Sequence, residues 1–318
     1  MMNKANFSPV TAQTGGWWTL KMSRNVRVQS QTKQRFRQFA RIQDEFGPHE
    51  GDTYQITKQS NLSGRGQIIG EYGNVPVSDW TTTYTQVTSQ WLTNSIALTQ
   101  EADLFSELSV IDAGLINLVN EANASLDLLA GAPFKNCDAI YTPTGTMASK
   151  TYAFSTTGTP AATATRNVTL WDLRNINDMM RTTYRVPFWE DSSYICVTSP
   201  LALRGIREDA DFIDIMKYSM PNKLLNSEIG KVENFRMVEE TNVLSNSLAG
   251  GLLGEAVFFG YDPVVGVEVY PFELQAAVAD PYGRFRNVRY IWRGGYTRTW
   301  TPASDRELRI IRLGSPPF

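Results

Sequence analysis

Few residues in this 318-residue chain are equipped for covalent or metal chemistry, and their spacing argues against it. His49 is the single histidine, set between Pro48 and Glu50 in a turn-like stretch, so any Ser-His-Asp or Cys-His device must use it. No Gly-x-Ser-x-Gly elbow accompanies it. Cys137 and Cys196 are too few and too separated for a disulfide framework, and a zinc site would need them to converge with His49 without local ligand spacing. Gly64-x-Gly66 and the cluster Gly250, Gly251 and Gly254 lack the Walker pattern of a phosphate loop, and read as turn and bulge glycines. Glu239 and Glu240 are neighbours, so a strand sends them to opposite faces, which suits a solvated carboxylate or an ion pair with a nearby Arg better than a cooperating acid and base. The expectation is no catalytic residue, no metal and no cofactor.

Charge is distributed unevenly. Residues 1–43 hold Lys4, Lys21, Arg24, Arg27, Lys33, Arg35, Arg37 and Arg41 and no acid, so this arm carries +8 while the whole chain is at −2. An acidic partner is implied, and the acidic body of a neighbouring copy is preferred over nucleic-acid phosphates because no nucleic-acid reading motif accompanies the basic residues. Charged residues make up 19% of the chain and aromatics 11%, a globular balance poor in solvating charge, which points to surface buried against other subunits. The first residues lack the apolar core of a signal peptide and no run is long enough to cross a bilayer, so the expected site of synthesis is the cytosol, with no membrane partner.

The elements that organise these residues follow from periodicity. Residues 1–50 are polar, broken by Gly15, Gly16 and Gly47 and dotted with Trp17, Trp18, Phe36 and Phe39, and read as an extended arm with a short helix near Thr32–Gln43. Residues 51–98 read as a long β-hairpin around central glycines, with Tyr54, Ile56, Ile68 and Ile69 on one limb and Trp80, Tyr84, Val87 and Trp91 on the other. Leu104, Leu108, Ile111, Leu115, Leu118, Ala122, Leu126 and Leu129 recur at spacings of three and four, predicting one helix over Glu101–Gly131, about 45 Å long. A Thr-, Ala- and Gly-rich loop is expected over Thr142–Thr165, then a second amphipathic helix through Leu170, Leu173, Ile176, Met179 and Met180. Strands are expected over Val264–Phe272, Phe285–Trp300 and Leu308–Leu313, with Pro271, Pro281 and Pro302 at the breaks.

The run Tyr194–Thr198 is short, β-rich and apolar, and suits a buried strand. Ser199 and Pro200 then start a helix carrying Leu201, Leu203 and Ile206, the serine as cap and the proline at the first position. Glu208, Asp209, Asp211 and Asp214 surround Phe212, Ile213 and Ile215 in a segment expected to be irregular and broken by Pro221 and Asn222. Gly230 and Lys231 form a turn before a strand over Val232–Thr241.

This succession resembles the second half of tailed-bacteriophage major capsid proteins: Ser199-Pro200 with a Leu203-Arg204 pair, the acidic-aromatic segment, Gly230-Lys231, Glu239 to Asn242, then Gly254 to Gly260. The resemblance runs from about Glu101 to the C-terminus. It implies an α+β, Hong Kong 97-like fold divided into an N-terminal arm (1–47), an extended hairpin loop (48–98), a peripheral domain with its spine helix (99–168), an axial domain (169–260), and return strands (261–318) of which the last joins the axial domain. It also implies a non-enzymatic shell protein assembling as hexamers and pentamers around double-stranded DNA. The companions it implies are a portal protein, a separate scaffolding protein and, as an optional addition, a decoration protein, with location in the virion after assembly in the host cytoplasm. Inter-subunit contact is expected from Arg24, Arg27, Arg35, Arg37, Arg41, Trp80 and Trp91. Some members of that family cross-link a loop lysine to an asparagine of another subunit; Lys58 is the sole lysine of this loop, without a local signal for its partner. An encapsulin-like compartment and an α/β enzyme with an unrecognised site are the rival readings.

Overall fold

The computed structural model describes residues 34–43, 51–60, 62, 66–99, 110–219, 230–244, 254–276, 285–301 and 307–314. Along the chain, a single 3-10 turn (Arg37–Phe39) precedes strand β1 (Arg41–Gln43). Strands β2 (Thr53–Gln59) and β3 (Thr82–Thr88) form an antiparallel hairpin, and β4 (Gln90–Thr99) follows. Helix α1 (Val110–Lys135) leads to β5 (Ile140–Gly145) and β6 (Lys150–Ser155). Next come α2 (Leu170–Asp178), a π turn (Met179–Thr183), β7 (Tyr194–Thr198), α3 (Pro200–Arg207) and α4 (Ala210–Ser219). The remainder is β8 (Lys231–Val232), β9 (Phe235–Glu239), β10 (Ala256–Phe259), β11 (Val264–Ala276), β12 (Phe285–Arg298) and β13 (Ile310–Leu313).

Two large sheets result. One has seven strands in the order β6-β5-β13-β10-β7-β9-β8, the other four in the order β1-β11-β12-β4. The unbroken apolar runs of β7 and β10 are explained by burial on both faces. Tyr194, Cys196, Ala256 and Phe258 point into a core roofed by Leu173, Ile176, Ala202, Ile206 and Phe212 from α2, α3 and α4. Ile195, Val197, Val257 and Phe259 point into a second core with Ala130 and Phe134 of α1 and Phe36 and Phe39 of the arm. Helix α1 joins the two sheets. Its Leu118 and Ala122 pack on Tyr290, Leu92 and Ile96 of the four-stranded sheet, and two turns later Ala130 and Phe134 enter the second core of the seven-stranded one. Twenty-six residues at about 1.5 Å each give a strut of about 39 Å.

Several sequence expectations are corrected. Over the described residues, the helix expected at Thr32–Gln43 is one 3-10 turn, closed by the Phe39 N–H on the Phe36 carbonyl at 3.0 Å, and a strand, because the chain from Arg41 pairs with β11 instead of continuing the turn. Helix α1 does not end at Gly131 but runs through Pro133 to Lys135. Gly131 serves close approach: a Cβ there would lie 3.1 Å from the Phe36 ring and 2.7 Å from Val243, so only glycine lets both press on the helix. The start expected for α1, with Leu104 and Leu108, lies outside the described residues, as do Pro221, Asn222, Pro281 and Pro302.

The expected loop over Thr142–Thr165 contains a hairpin, β5 paired to β6, stacked through Tyr141 and Tyr152 at 5.0 Å. That hairpin also joins the seven-stranded sheet, beside β13. The acidic segment after Glu208 is a regular helix, α4, because Phe212 finds the core while Asp211 and Asp214 stay in solvent. The strand expected over Val232–Thr241 is split into β8 and β9 by Glu233 and Asn234, both left-handed at φ 47 and 67. Pro271 lies within β11, where the pairing with β12 shifts register between Tyr270 and Glu273. Ser199 precedes α3 as expected, yet its hydroxyl makes no cap; its carbonyl accepts the Leu203 N–H at 3.2 Å.

Candidate assembly surfaces

The arm is built into the body at residues 34–43. Asp127 Oδ1 accepts the N–H groups of Arg35, Phe36 and Arg37 at 3.0, 2.8 and 3.3 Å. Burial pushes the Asp127 carboxyl upward from its ordinary value, and these three N–H groups oppose that shift. Gln34 donates to the Asn123 carbonyl at 3.1 Å, Arg37 meets Glu268 at 3.5 Å, and β1 runs parallel to β11 from Arg41 beside Val265 to Gln43 beside Val267. Glu268 is in turn held by the Trp292 indole N–H at 2.8 Å. So the guanidinium of Arg37, expected to reach another subunit, is engaged within its own chain. Arg41 is exposed on β1 and Arg35 half-buried, while Arg24 and Arg27 lie outside the described residues.

The hairpin has a fixed root and a bare tip. At the root, Val87 packs on Val267, Thr85 Oγ1 donates to the Thr299 carbonyl at 3.4 Å, and the Arg293 guanidinium donates to Ser89 Oγ at 3.2 Å. Lys58 is 6% exposed, its ammonium 5.6 Å from the Trp300 ring centre, and Arg309 lies 4.6 Å from the same ring. Residues 66–81 are irregular, with Ile68, Tyr72, Val75, Val77 and Trp80 in solvent, Trp80 at 63% exposure. This concentration of exposed apolar side chains is characteristic of a contact surface. Trp91 falls on β4, not on the hairpin; it is 57% exposed and packs on Tyr270 at 6.0 Å and Arg293 at 5.3 Å.

Among the described residues, those with chemical potential are not drawn together. Cys137 and Cys196 are buried free thiols, on separate cores. His49, Gly64, Gly250 and Gly251 lie outside the described residues, and among the described residues no group of three His, Cys, Asp or Glu could hold a metal. Gly254 packs against Ser199 and Ala202 at the start of α3, a close approach and not a phosphate loop. Glu239 is exposed, whereas Glu240 is buried and accepts the N–H groups of Asn242, Val243 and Leu244. No described helix is long and apolar enough to cross a membrane.

Sequence reasoning missed the buried ionic junctions. Arg166 pairs with Asp172, which also accepts from Tyr141 Oη at 2.8 Å and from the Thr169 N–H at 2.9 Å. Lys135 and Arg312 both reach Glu255, at 3.2 and 3.0 Å, tying the end of α1 to β13. The Thr169-x-x-Asp172 capping box was a legible signal for the first junction; nothing in the spacing announces the second.

No protein-family model matches the chain, and no curated protein does. Solved structures do match over nearly its whole length. The acid-stable capsid of Helicobacter pylori bacteriophage KHP30 has a TM-score of 0.70 at 11% identity, covering 100% of both chains. The capsid asymmetric unit of cyanophage Pam1 has a TM-score of 0.69 at 14% identity, covering 99% of this chain and 100% of that one. The capsid of Ralstonia phage GP4 has a TM-score of 0.65 at 16% identity, covering 98% and 99%. The chain has the α+β fold seen in these phage capsids.

Proposed function

We propose that this chain is the major capsid protein of a tailed bacteriophage, self-assembling as hexamers and pentamers into an icosahedral shell around a double-stranded DNA genome. The observation that carries this reading is the end-to-end likeness to phage capsid chains, with neither partner leaving a large segment uncovered. In this reading the four-stranded sheet with α1 is the peripheral lobe and the seven-stranded sheet the axial lobe. The hairpin tip and the basic residues before position 34, Arg24 and Arg27 among them, supply contacts to neighbouring copies. Each contact is modest, and closure of a ring makes the next one effectively intramolecular. Opposed charge between the arm and the acidic body sets register more than affinity.

The chain then carries out no reaction of its own. A portal protein and a separate scaffolding protein are its expected companions. The DNA is held without sequence preference, and the protein moves from the host cytoplasm into the virion.

Negative-stain microscopy of the expressed chain, alone and with a co-expressed scaffolding protein, tests the reading. Rings of five or six and closed shells are expected. Monomers under both conditions at high concentration overturn it.

A further inference from the structure

We infer that β4 is an edge at which two copies of the chain join their four-stranded sheets, strand against strand, about a two-fold axis. Among the described residues the two large sheets have four edge strands, and three are blunted. β1 has three residues and includes Arg41, β6 has six and begins with Lys150, and β8 has two and begins with Lys231. Short length, charge, proline and bulges are the devices that keep a sheet edge from pairing with another chain. β4 uses none of them. It is ten residues long, Gln90–Thr99, without a charged residue or a proline. Its register with β12 is unbroken from Thr99 beside Phe285 to Gln90 beside Gly294. Among the described residues no strand covers its outer side.

The occupant is a second copy, because this edge is complementary to itself. Its exposed residues include Thr93, Asn94, Ser95 and Ala97, neutral side chains that meet their own kind without like-charge repulsion. Leu92 and Ile96 face the α1 side of the sheet, so a two-fold perpendicular to the sheet continues both faces across the join. An axis through residue 95 sets Ser95 opposite Ser95 of the partner subunit, Thr93 opposite the partner's Ala97, and Trp91 opposite the partner's Thr99. The Ser95 N–H is now held by the side chain of its own neighbour, Asn94, at 2.8 Å, a local bond that strand pairing replaces with a ladder bond. The join rests on the self-assembly reading and adds to it a named contact.

Cysteine placed at the axis reports the join directly. Facing residues of an antiparallel pair lie about 4.5–5.5 Å apart at Cα, within disulfide reach, and the native Cys137 and Cys196 are buried. Ser95→Cys and Asn94→Cys, which cover axes through either residue, are assembled, oxidised mildly and run on a non-reducing denaturing gel, while the same samples are examined by microscopy. A disulfide dimer from at least one variant is expected. Shells without a cross-link in either overturn the join and leave the capsid reading intact; cross-linked dimers without shells overturn the capsid reading and leave the join. Neither shells nor cross-links overturns both. Ser95→Lys, which sets two ammonium groups face to face, is expected to raise the protein concentration needed for assembly at least about tenfold with an unchanged monomer Tm. Unchanged assembly from that variant overturns the join.

Discussion

Asp127 of α1 accepts the backbone N–H of Phe36 at 2.8 Å, and the Phe36 ring lies 5.2 Å from that of Phe134, one helical turn and three residues farther along the same helix. A carboxylate thus fixes the backbone of the arm at the point where its side chain enters the core. Residues 34–43 of the basic N-terminal segment are therefore part of the fold.

This separates two deletions. Removing residues 1–33 is expected to leave the folded state intact and to impair assembly. Removing 1–43 takes Phe36 and Phe39 out of the second core, and each such loss is comparable to a Phe→Ala change, about 3–5 kcal/mol. Urea unfolding followed by tryptophan fluorescence checks both; equal midpoints for the two truncations would show that the anchor adds no stability.

The same residues show what sequence could reveal. Period and composition located β7, α3, α2 and the strands β11 to β13, because each buries its apolar face by its own pattern. Phe36 and Phe39 were visible as aromatics in a polar segment, but their destination was not, since the partner that orders them, Asp127, lies about 90 residues away and reads locally as an ordinary helix-surface acid. Gly131 likewise reads as a helix stop until the two side chains pressing on it are known. Trp80 and Trp91 were singled out together as aromatic contact candidates, and their exposure was not readable from their type; only pairing separates them, one on the hairpin tip and one on a sheet edge.

The Arg166–Asp172 pair predicts an asymmetric response. Both side chains are buried, and Asp172 also holds Tyr141 and caps α2. Asp172→Ala strands a buried guanidinium and should cost about 3–5 kcal/mol. Replacing both together by apolar residues of similar volume should cost clearly less. A double-mutant cycle from denaturant midpoints measures the difference, and additive single losses would remove the coupling.

Stability should fall in alkali. Burial pushes the Cys137 thiol from 9.0 up to about 12 and raises Cys196 for the same reason. The folded state therefore keeps protons that the unfolded chain releases above its ordinary thiol value. The stabilisation is complete below that value and declines as pH rises toward the folded one, by ~1.4 kcal/mol per pH unit per thiol. Unfolding free energies of the wild type and of Cys137→Ala/Cys196→Ala, measured from about pH 7 to 10, should converge in slope at neutral pH and diverge above 9. Parallel curves throughout would contradict the assignment.

Lys58 should not form covalent links between subunits. Its amine is packed over Trp300, near the loop end of the β2–β3 ladder and opposite Thr83 on β3, and leaves 6% of the residue in contact with solvent. An isopeptide bond needs the neutral amine to attack a carbonyl of another chain, so Lys58 would have to leave the Trp300 ring. Particles denatured in detergent should run as the single-chain species, in the wild type and in Lys58→Met alike. The variant keeps most of the apolar stem, so its hairpin should hold its place with a loss of about 2 kcal/mol from the missing desolvated cation–π contact. A ladder of oligomers that disappears in Lys58→Met would show instead that Lys58 leaves Trp300 during assembly.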